Sequence, residues 1–389
     1  MRPNSSAVLR RIGLARLISV SGPDAPKFLQ GAITQNVLAP TGGYRDDGFY
    51  AAFLNATGRV LHDVFVYPNH HHHGGSSSSS SSAPAAGESF LVEVDAGDAE
   101  RLQRHIKRYR LRAKFDVRLL DAGEVTVWHG WGGEGDGALD SLTTTTTTTT
   151  KSSAADPHRI AHLRDPRAPG SGYRMLSAGD REPLAAGGLG RVADEDVYRL
   201  RRYLLGVPEG PSELLREQAL PLEANLDVMG AIDFRKGCYV GQELTIRTKH
   251  RGVVRKRILP VVLYDNNNNS ESASAGGIPQ GLEYRPGSLS TGAGAIPAET
   301  SIGRLGRKGR SAGKWLRGVG NVGLALCRLE IMTDVVLPGE TAASSYTPAD
   351  EFVMEQQPGE DGDGGFSVKI KAFVPEWLRQ GLDQQQQSH

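Results

Sequence analysis

The chain has 389 residues with 45 Lys and Arg against 44 Asp and Glu, so its net charge of +1 exerts no global pull toward nucleic acid or an anionic membrane. The length accommodates two or three domains, and 38% hydrophobic residues support a sizeable core despite a mean hydropathy of −0.36. Two cysteines, Cys238 and Cys327, exclude a disulfide framework and a self-contained four-thiolate cluster site, and no apolar run reaches the roughly 18–20 residues of a membrane span.

Such cysteine usage suits a reducing compartment such as the cytosol or mitochondrial matrix. Met1–Arg16 carries Arg2, Arg10, Arg11 and Arg16 with Ser5 and Ser6, and no acid precedes Asp24. That composition fits the end of a mitochondrial presequence, assigned to residues 1–12, and equally a ragged basic N-terminus. Gly22-Pro23-Asp24 predicts a helix start, with Phe28, Leu29 and Ile33 on its buried face. Phe49–Leu54 and Arg59–Tyr67 flank Asn55-Ala56-Thr57-Gly58 and predict a β-hairpin. Phe90–Val94 reads as a strand running into Asp95, a helix cap, after which Leu102, Ile106 and Tyr109 recur at helical spacing. Phe115–Leu120 and Glu124–Trp128 return as strands. A further helix from about Asp194 should turn Val197, Leu200 and Leu204 inward and stop at Gly206 before Pro208.

From Arg257 onward the pattern is strand-rich. Ile258–Leu263, Val319–Leu329 and Ser367–Val374 predict a small β-barrel domain over 257–379, following an α+β region over 13–256. Polar, repetitive stretches at about 69–87 (with His70–His73 and a serine run), 131–157 (with Thr143–Thr150) and 265–298 read as disordered inserts, and 380–389 as a disordered tail. The histidine run beside polyserine is read as a solvated repeat rather than a metal site.

The chemistry concentrates between Leu220 and Pro260. Cys238 sits between Gly237 and Gly241, where a helix is expected to begin, with Arg235 and Lys236 adjacent. Glycines on both sides admit close approach of a partner, and a thiol near a helix N-terminus beside cations is expected to carry thiolate character, the form that binds soft metals or attacks electrophiles. Arg235, Lys236, Arg247, Lys249, Arg251, Arg255, Lys256 and Arg257 face one acid, Glu243, a local positive excess that reads as an anion-binding surface or as a solvated helix face. Glu223, Asn225, Asp227 and Asp233 supply acceptors for a heterocycle's N–H groups, or ordinary caps and turns. Cys327, in an apolar strand, is expected in a core.

Lys236-Gly237-Cys238-Tyr239-Val240-Gly241-Gln242-Glu243 resembles the motif of the bacterial YgfZ protein and its mitochondrial counterparts in iron–sulfur cluster assembly, relatives of the aminomethyltransferase (T-protein) of glycine cleavage. Val20–Gly31 with Thr34-Gln35-Asn36, Ala52–Val60 and Gly320–Glu330 resemble the same family, in the same order. The resemblance implies a T-protein-like α+β fold of several domains around a central cavity, with a C-terminal β-barrel. It further implies an assembly factor, rather than a classical enzyme, for late maturation of [4Fe–4S] proteins in the mitochondrial matrix. A-type scaffold proteins are the expected partners, sharing a [2Fe–2S] or [4Fe–4S] cluster with Cys238 as ligand; aconitase-like and radical-SAM enzymes are the expected clients. The alternative it implies is a tetrahydrofolate-dependent one-carbon transferase with Cys238 as nucleophile. The cofactor contacts would come from Asn55, Arg59, Asn225, Asp227, Lys236, Gly237, Tyr239, Gly241, Gln242, Glu243 and Arg247. No membrane partner is implied, and the absence of aromatics interleaved with the basic residues disfavours nucleic acid.

Overall fold

The computed structural model describes residues 8–69, 88–132, 159–181, 190–192, 194–265, 278–289, 291–307, 309–340, 345–356 and 365–387. They form two compact units, one of residues 1–195, 216–218 and 229–243, the other of 196–215, 219–228 and 244–389.

In the first unit, β3 (Phe49–Leu54) and β4 (Val60–Pro68) pair through the predicted hairpin, and β5 (Ser89–Asp95), β2 (Ala15–Ser21) and β6 (Asp116–Leu119) complete a five-stranded sheet in the order β3-β4-β5-β2-β6. Alternation sorts its side chains. Phe49, Ala51, Phe53, Val64, Val66, Phe90 and Val92 form one core with Leu29 of α1 (Ala25–Ala32) and Leu102 and Ile106 of α2 (Ala99–Tyr109). α1 starts as predicted, whereas Asp95 caps a single 3-10 turn, Ala96–Asp98, and α2 begins only after it. Asp95 accepts from the Gly97 amide at 2.8 Å, whereas Asp24 makes no cap and accepts instead from the Lys114 amide at 2.6 Å. Tyr109 is half exposed rather than buried.

The opposite face of this sheet is polar and still buried. The Phe65 ring lies 3.9 Å under the Arg174 guanidinium and 4.9 Å under that of Arg167, and Tyr67 donates to Glu93 at 2.7 Å. Arg174 belongs to β9 (Tyr173–Ala178) of a second sheet. With β10 (Gly190–Val192), β1 (Val8–Arg11), β7 (Val125–Trp131) and β8 (Arg159–Arg164), it forms the order β10-β1-β7-β9-β8. β1 runs antiparallel to β7, so Val8–Arg11 belongs to the folded sheet; the presequence-like reading of 1–12 is corrected there, and residues 1–7 lie outside the described ones.

The second unit holds a closed six-stranded barrel: β11 (Lys256–Tyr264), β14 (Val322–Arg328), β13 (Gly313–Val319), β12 (Ser301–Arg304), β15 (Phe352–Gln356) and β16 (Phe366–Ala372). Trp315, Cys327, Phe352 and Met354 fill its core, together with Leu329 and Met332 of the short helix α5 (Leu329–Met332). α3 (Glu195–Leu205) ends as predicted at Gly206, whose φ is +74° and whose Cβ would meet Pro260 and Pro375 at 3.0 Å. Its buried face departs from the aliphatic pattern. Val197 is exposed and Leu200 and Leu204 are half-buried, while Tyr198, Arg202 and Tyr203 are buried, with Arg202 neutralised by Glu213 at 2.7 Å.

Two expectations of disorder are corrected. α6 (Glu376–Gln387) runs through most of the supposed tail, because Leu378 and Leu382, one turn apart, enter the barrel core. Within 265–298, Ala293 and Ile296 are buried in the same core. The remaining inserts, at 70–87, 133–158 and 266–277, lie outside the described residues. Among the described residues no helix is long and apolar enough to cross a membrane.

Candidate functional site around Cys238

The segment 231–241 is fastened along its length to residues 31–36 and to the hairpin. Thr34 donates its hydroxyl to Ala231 O at 2.6 Å and accepts from the Ala52 amide at 2.9 Å, and the Asp233 amide donates to Thr34 O at 3.1 Å. Lys236 then reaches back, donating to Ile33 O at 2.7 Å and Gln35 O at 2.8 Å, with its ammonium 5.2 Å from the Tyr239 ring centroid. Burial pulls its pKa down to about 7, with Asp233 opposing. After the cysteine, buried Tyr239 anchors the chain and the Val240 amide donates to Gly31 O at 3.1 Å.

The two flanking glycines serve different ends. Gly241 has φ +78°, and a Cβ there would stand 2.3 Å from Asn55 O, so only glycine lets the loop settle on the hairpin turn. A Cβ on Gly237 would meet nothing within 4 Å and its φ is ordinary, so the fold makes no demand for glycine beside Cys238. Cys238 itself is exposed. α4 (Gln242–Arg251) begins where expected, four residues later; the Gln242 side chain accepts from the Tyr239 amide at 3.3 Å, Glu243 lies exposed in its first turn, and Arg247 is exposed on it. The result is an accessible thiol on a loop clamped from both sides.

The residues proposed for a heterocycle do not converge on one. The Asn55 side-chain Oδ1 is engaged in its own turn, accepting from the Thr57 and Arg59 amides at 3.0 and 2.9 Å, and Arg59 donates to Gln218 O. Asn225, buried with φ +61°, donates to Ile258 O at 2.7 Å; Asp227 receives both guanidinium nitrogens of Arg257, at 2.6 and 2.9 Å. These four side chains close the fold and do not fit tetrahydrofolate as a cradle. The basic stretch is likewise partly neutralised: Arg255 pairs with Glu330 at 3.1 Å, Lys256 with Glu223 at 3.1 Å and Arg257 with Asp227, leaving Arg235, Arg247 and Arg251 exposed.

Two features escape sequence inspection. One is a buried charge network behind the hairpin sheet, in which Asp165 pairs with Arg167 at 2.7 Å and lies 3.7 Å from both His129 and Arg174, while Arg174 also pairs with Glu93. Burial would raise the Asp165 carboxyl, but Arg167, His129 and Arg174 together hold it well below the usual range; burial likewise pushes His129 down to about 4. The other is a cavity of about 800 Å³ between α1, α2 and the hairpin, walled in part by Val240 of the cysteine loop. His62, on its floor, is held by Asp98 (3.1 Å), which also pairs with Arg216; burial pushes His62 down to about 4. The contacts that define both features, Glu93 with Arg174 and His62 with Asp98 and Arg216, join positions too far apart in the chain for any spacing to mark them.

Residues 255–380 match the family model of the CAF17 C-terminal β-barrel domain. Over nearly its whole length the chain is similar to proteins named mitochondrial iron–sulfur cluster assembly factor IBA57 homologs. That of Pyricularia oryzae is 54% identical over 375 residues, covering 96% of this chain and 85% of that protein. Those of Chaetomium globosum and Neurospora crassa are 52% and 48% identical, covering 97% and 96% of this chain and 84% and 81% of theirs. This chain belongs to the IBA57 family. Among solved structures, the glycine cleavage system aminomethyltransferase T from Bartonella henselae shares the fold, with a TM-score of 0.60 and 14% identity, covering 97% of this chain and 87% of that one. The T-protein-like α+β fold with a C-terminal barrel is therefore established for this IBA57-family chain. The clamped cysteine loop lies in its first unit, outside the barrel.

Proposed function

We propose that this chain is a mitochondrial iron–sulfur cluster assembly factor acting late in [4Fe–4S] protein maturation, with the Cys238 thiolate supplying one ligand to a cluster shared with an A-type scaffold protein in the matrix. Membership of the IBA57 family supports the assembly role and the mitochondrial setting. The observation that carries the residue assignment is an exposed sulfur on a loop fixed by Lys236 on one side and Gly241 on the other, with open space over Gly237.

A cluster needs several thiolates, and this chain has one to offer. Burial pushes the thiol of Cys327 far above its ordinary value, so that sulfur stays protonated inside the barrel. The remaining ligands must then come from a partner, and the missing side chain at position 237 leaves room for a partner's backbone to approach the sulfur. The cluster is cargo here, passed on toward clients of the aconitase-like and radical-SAM type.

The test is anaerobic reconstitution of the cluster on the complex with an A-type scaffold, followed by visible absorption and Mössbauer spectra. Cys238→Ser should remove the mixed-complex signature and leave far-UV circular dichroism unchanged, because the side chain touches no core. A serine variant that still carries the shared cluster sinks the assignment. The transferase alternative is carried only by the fold, since Asn55, Arg59, Asn225 and Asp227 are engaged elsewhere; a calorimetric titration with tetrahydrofolate that stays flat disposes of it.

A further inference from the structure

We propose that the cavity between α1, α2 and the Asn55 hairpin is a binding site for a small organic anion with an apolar body, seated against the inner side of the Cys238 loop. Its volume of about 800 Å³ is that of a small-molecule site, and it belongs wholly to the first unit. Phe28, Leu54 and Leu61 provide apolar wall. The charge around it is one-sided: five cations, Lys27, Arg101, Arg108, Arg110 and Arg216, against Asp24 and Glu217. Of these, Asp24 already accepts from the Lys114 amide, Arg110 donates to Phe115 O and Arg216 pairs with Asp98; Lys27, Arg101 and Arg108 are exposed at the rim, Arg101 with its guanidinium 4.0 Å from Asp98. An apolar slot rimmed by long cationic side chains selects a head-and-body ligand of negative charge.

The floor is built for a specific contact. Asp98 accepts the Nδ1 proton of His62, which leaves Nε2 as an acceptor for a ligand N–H or O–H. A second observation comes from Gly31, which lines the cavity from within α1. Its φ is ordinary and a Cβ would meet nothing within 4 Å, so the helix carries a residue less favourable there than alanine with no packing reason for it. What the missing side chain preserves is empty volume. The same residue's carbonyl accepts from the Val240 amide, so a ligand here rests against the loop that holds Cys238 two residues away. The inference is independent of the cluster assignment: Cys238→Ser should leave ligand binding intact.

The experiment titrates the full-length protein with 1-anilinonaphthalene-8-sulfonate, followed by fluorescence, beside its uncharged parent N-phenyl-1-naphthylamine. The expected result is one saturable site for the sulfonate, with the neutral probe at least about tenfold weaker. Arg101→Ser with Arg108→Ser, both on the surface, should weaken the sulfonate about tenfold and leave the neutral probe unchanged. Gly31→Leu should abolish both while holding or raising the melting temperature. At saturating sulfonate, alkylation of Cys238 by iodoacetamide should change in rate in the wild type and not in Gly31→Leu. Equal affinity for the two probes, or wild-type affinity in Gly31→Leu, overturns the proposal. Should Gly31→Leu melt early, the arginine pair decides alone: an unchanged sulfonate affinity there is fatal.

Discussion

The two units bury charge in different ways. The first sandwiches Glu93, Asp165, Arg167, Arg174 and His129 between two sheets and fixes a second histidine, His62, beneath its helices. The second surrounds an apolar barrel core with two smaller buried sites, Arg257 with Asp227 and Arg202 with Glu213 and Glu209. A network of many charges that includes a buried histidine is sensitive to the protonation of any member. The unit that carries the accessible thiol is thus the one whose stability responds to pH.

Acid is the sharpest way to separate them. Burial holds His62 and His129 near a pKa of about 4 from an ordinary 6.5, so both are neutral in the folded state. A depressed pKa means that unfolding takes up protons below pH 6.5; the stability contributed by each neutral ring is complete above 6.5 and is lost as pH falls toward 4. A fall of that size corresponds to roughly 3 kcal/mol for each histidine. Hydrogen exchange corrected for intrinsic rates should show the hairpin sheet losing protection between pH 6.5 and 4. The barrel should hold, since His250, the one histidine among the second unit's described residues, is exposed. Equal loss in both units would erase the distinction.

The reverse perturbation targets the barrel unit. Arg257→Leu strands the Asp227 carboxylate in a buried site and should cost about 3–5 kcal/mol by urea denaturation, with the Arg257→Leu/Asp227→Leu double variant recovering most of it. Failure of the double variant to recover would mean that the hydrogen bond from Arg257 to Leu222 O, at 2.7 Å, matters more than the charge.

What could be read from the sequence was local. The Asn55–Gly58 turn, the Gly206 helix stop, the strand-rich C-terminal region and the Cys238 loop each announce themselves within ten residues or so, through glycine, aspartate or alternation. What could not be read joins distant positions: Asp227 with Arg257 across 30 residues, His62 with Asp98 across 36, Glu93 with Arg174 across 81 and Asp98 with Arg216 across 118. The same blindness misassigned Asn225 and Asp227, which look like ligand contacts only while Arg257 is unseen. It also hid the buried face of α3, where a neutralised Arg202 takes an inward position that an aliphatic pattern reserves for leucine.

The two glycines of the cysteine loop differ in what they tolerate. Gly241→Ala places a methyl against Asn55 O in a left-handed conformation and should cost about 1–3 kcal/mol, because backbone must move. Gly237→Ala enters open space and should stay within about 0.5 kcal/mol by thermal melting. The informative outcome is functional: if the vacant position serves a partner, Gly237→Ala keeps its stability and loses shared-cluster yield, while a small valine-sized side chain there lowers it further.

The smallest effect concerns the two sulfurs as bare side chains. Cys327 is fully buried among Trp315 and Met332 of the barrel core, with its Sγ 3.5 Å from Ala325 O. Replacing it by serine buries a hydroxyl where a weakly polar thiol sat, at a cost of about 1–2 kcal/mol that is softened if the hydroxyl donates to that same carbonyl. Cys238→Ser exchanges one solvated group for another and should leave the unfolding midpoint within experimental error. Iodoacetamide draws the same line kinetically, modifying one sulfur per chain under native conditions and two after unfolding. Two modified sulfurs in the native protein would mean that the barrel opens on the timescale of the reaction, and the contrast between a working thiol and a packed one would fail.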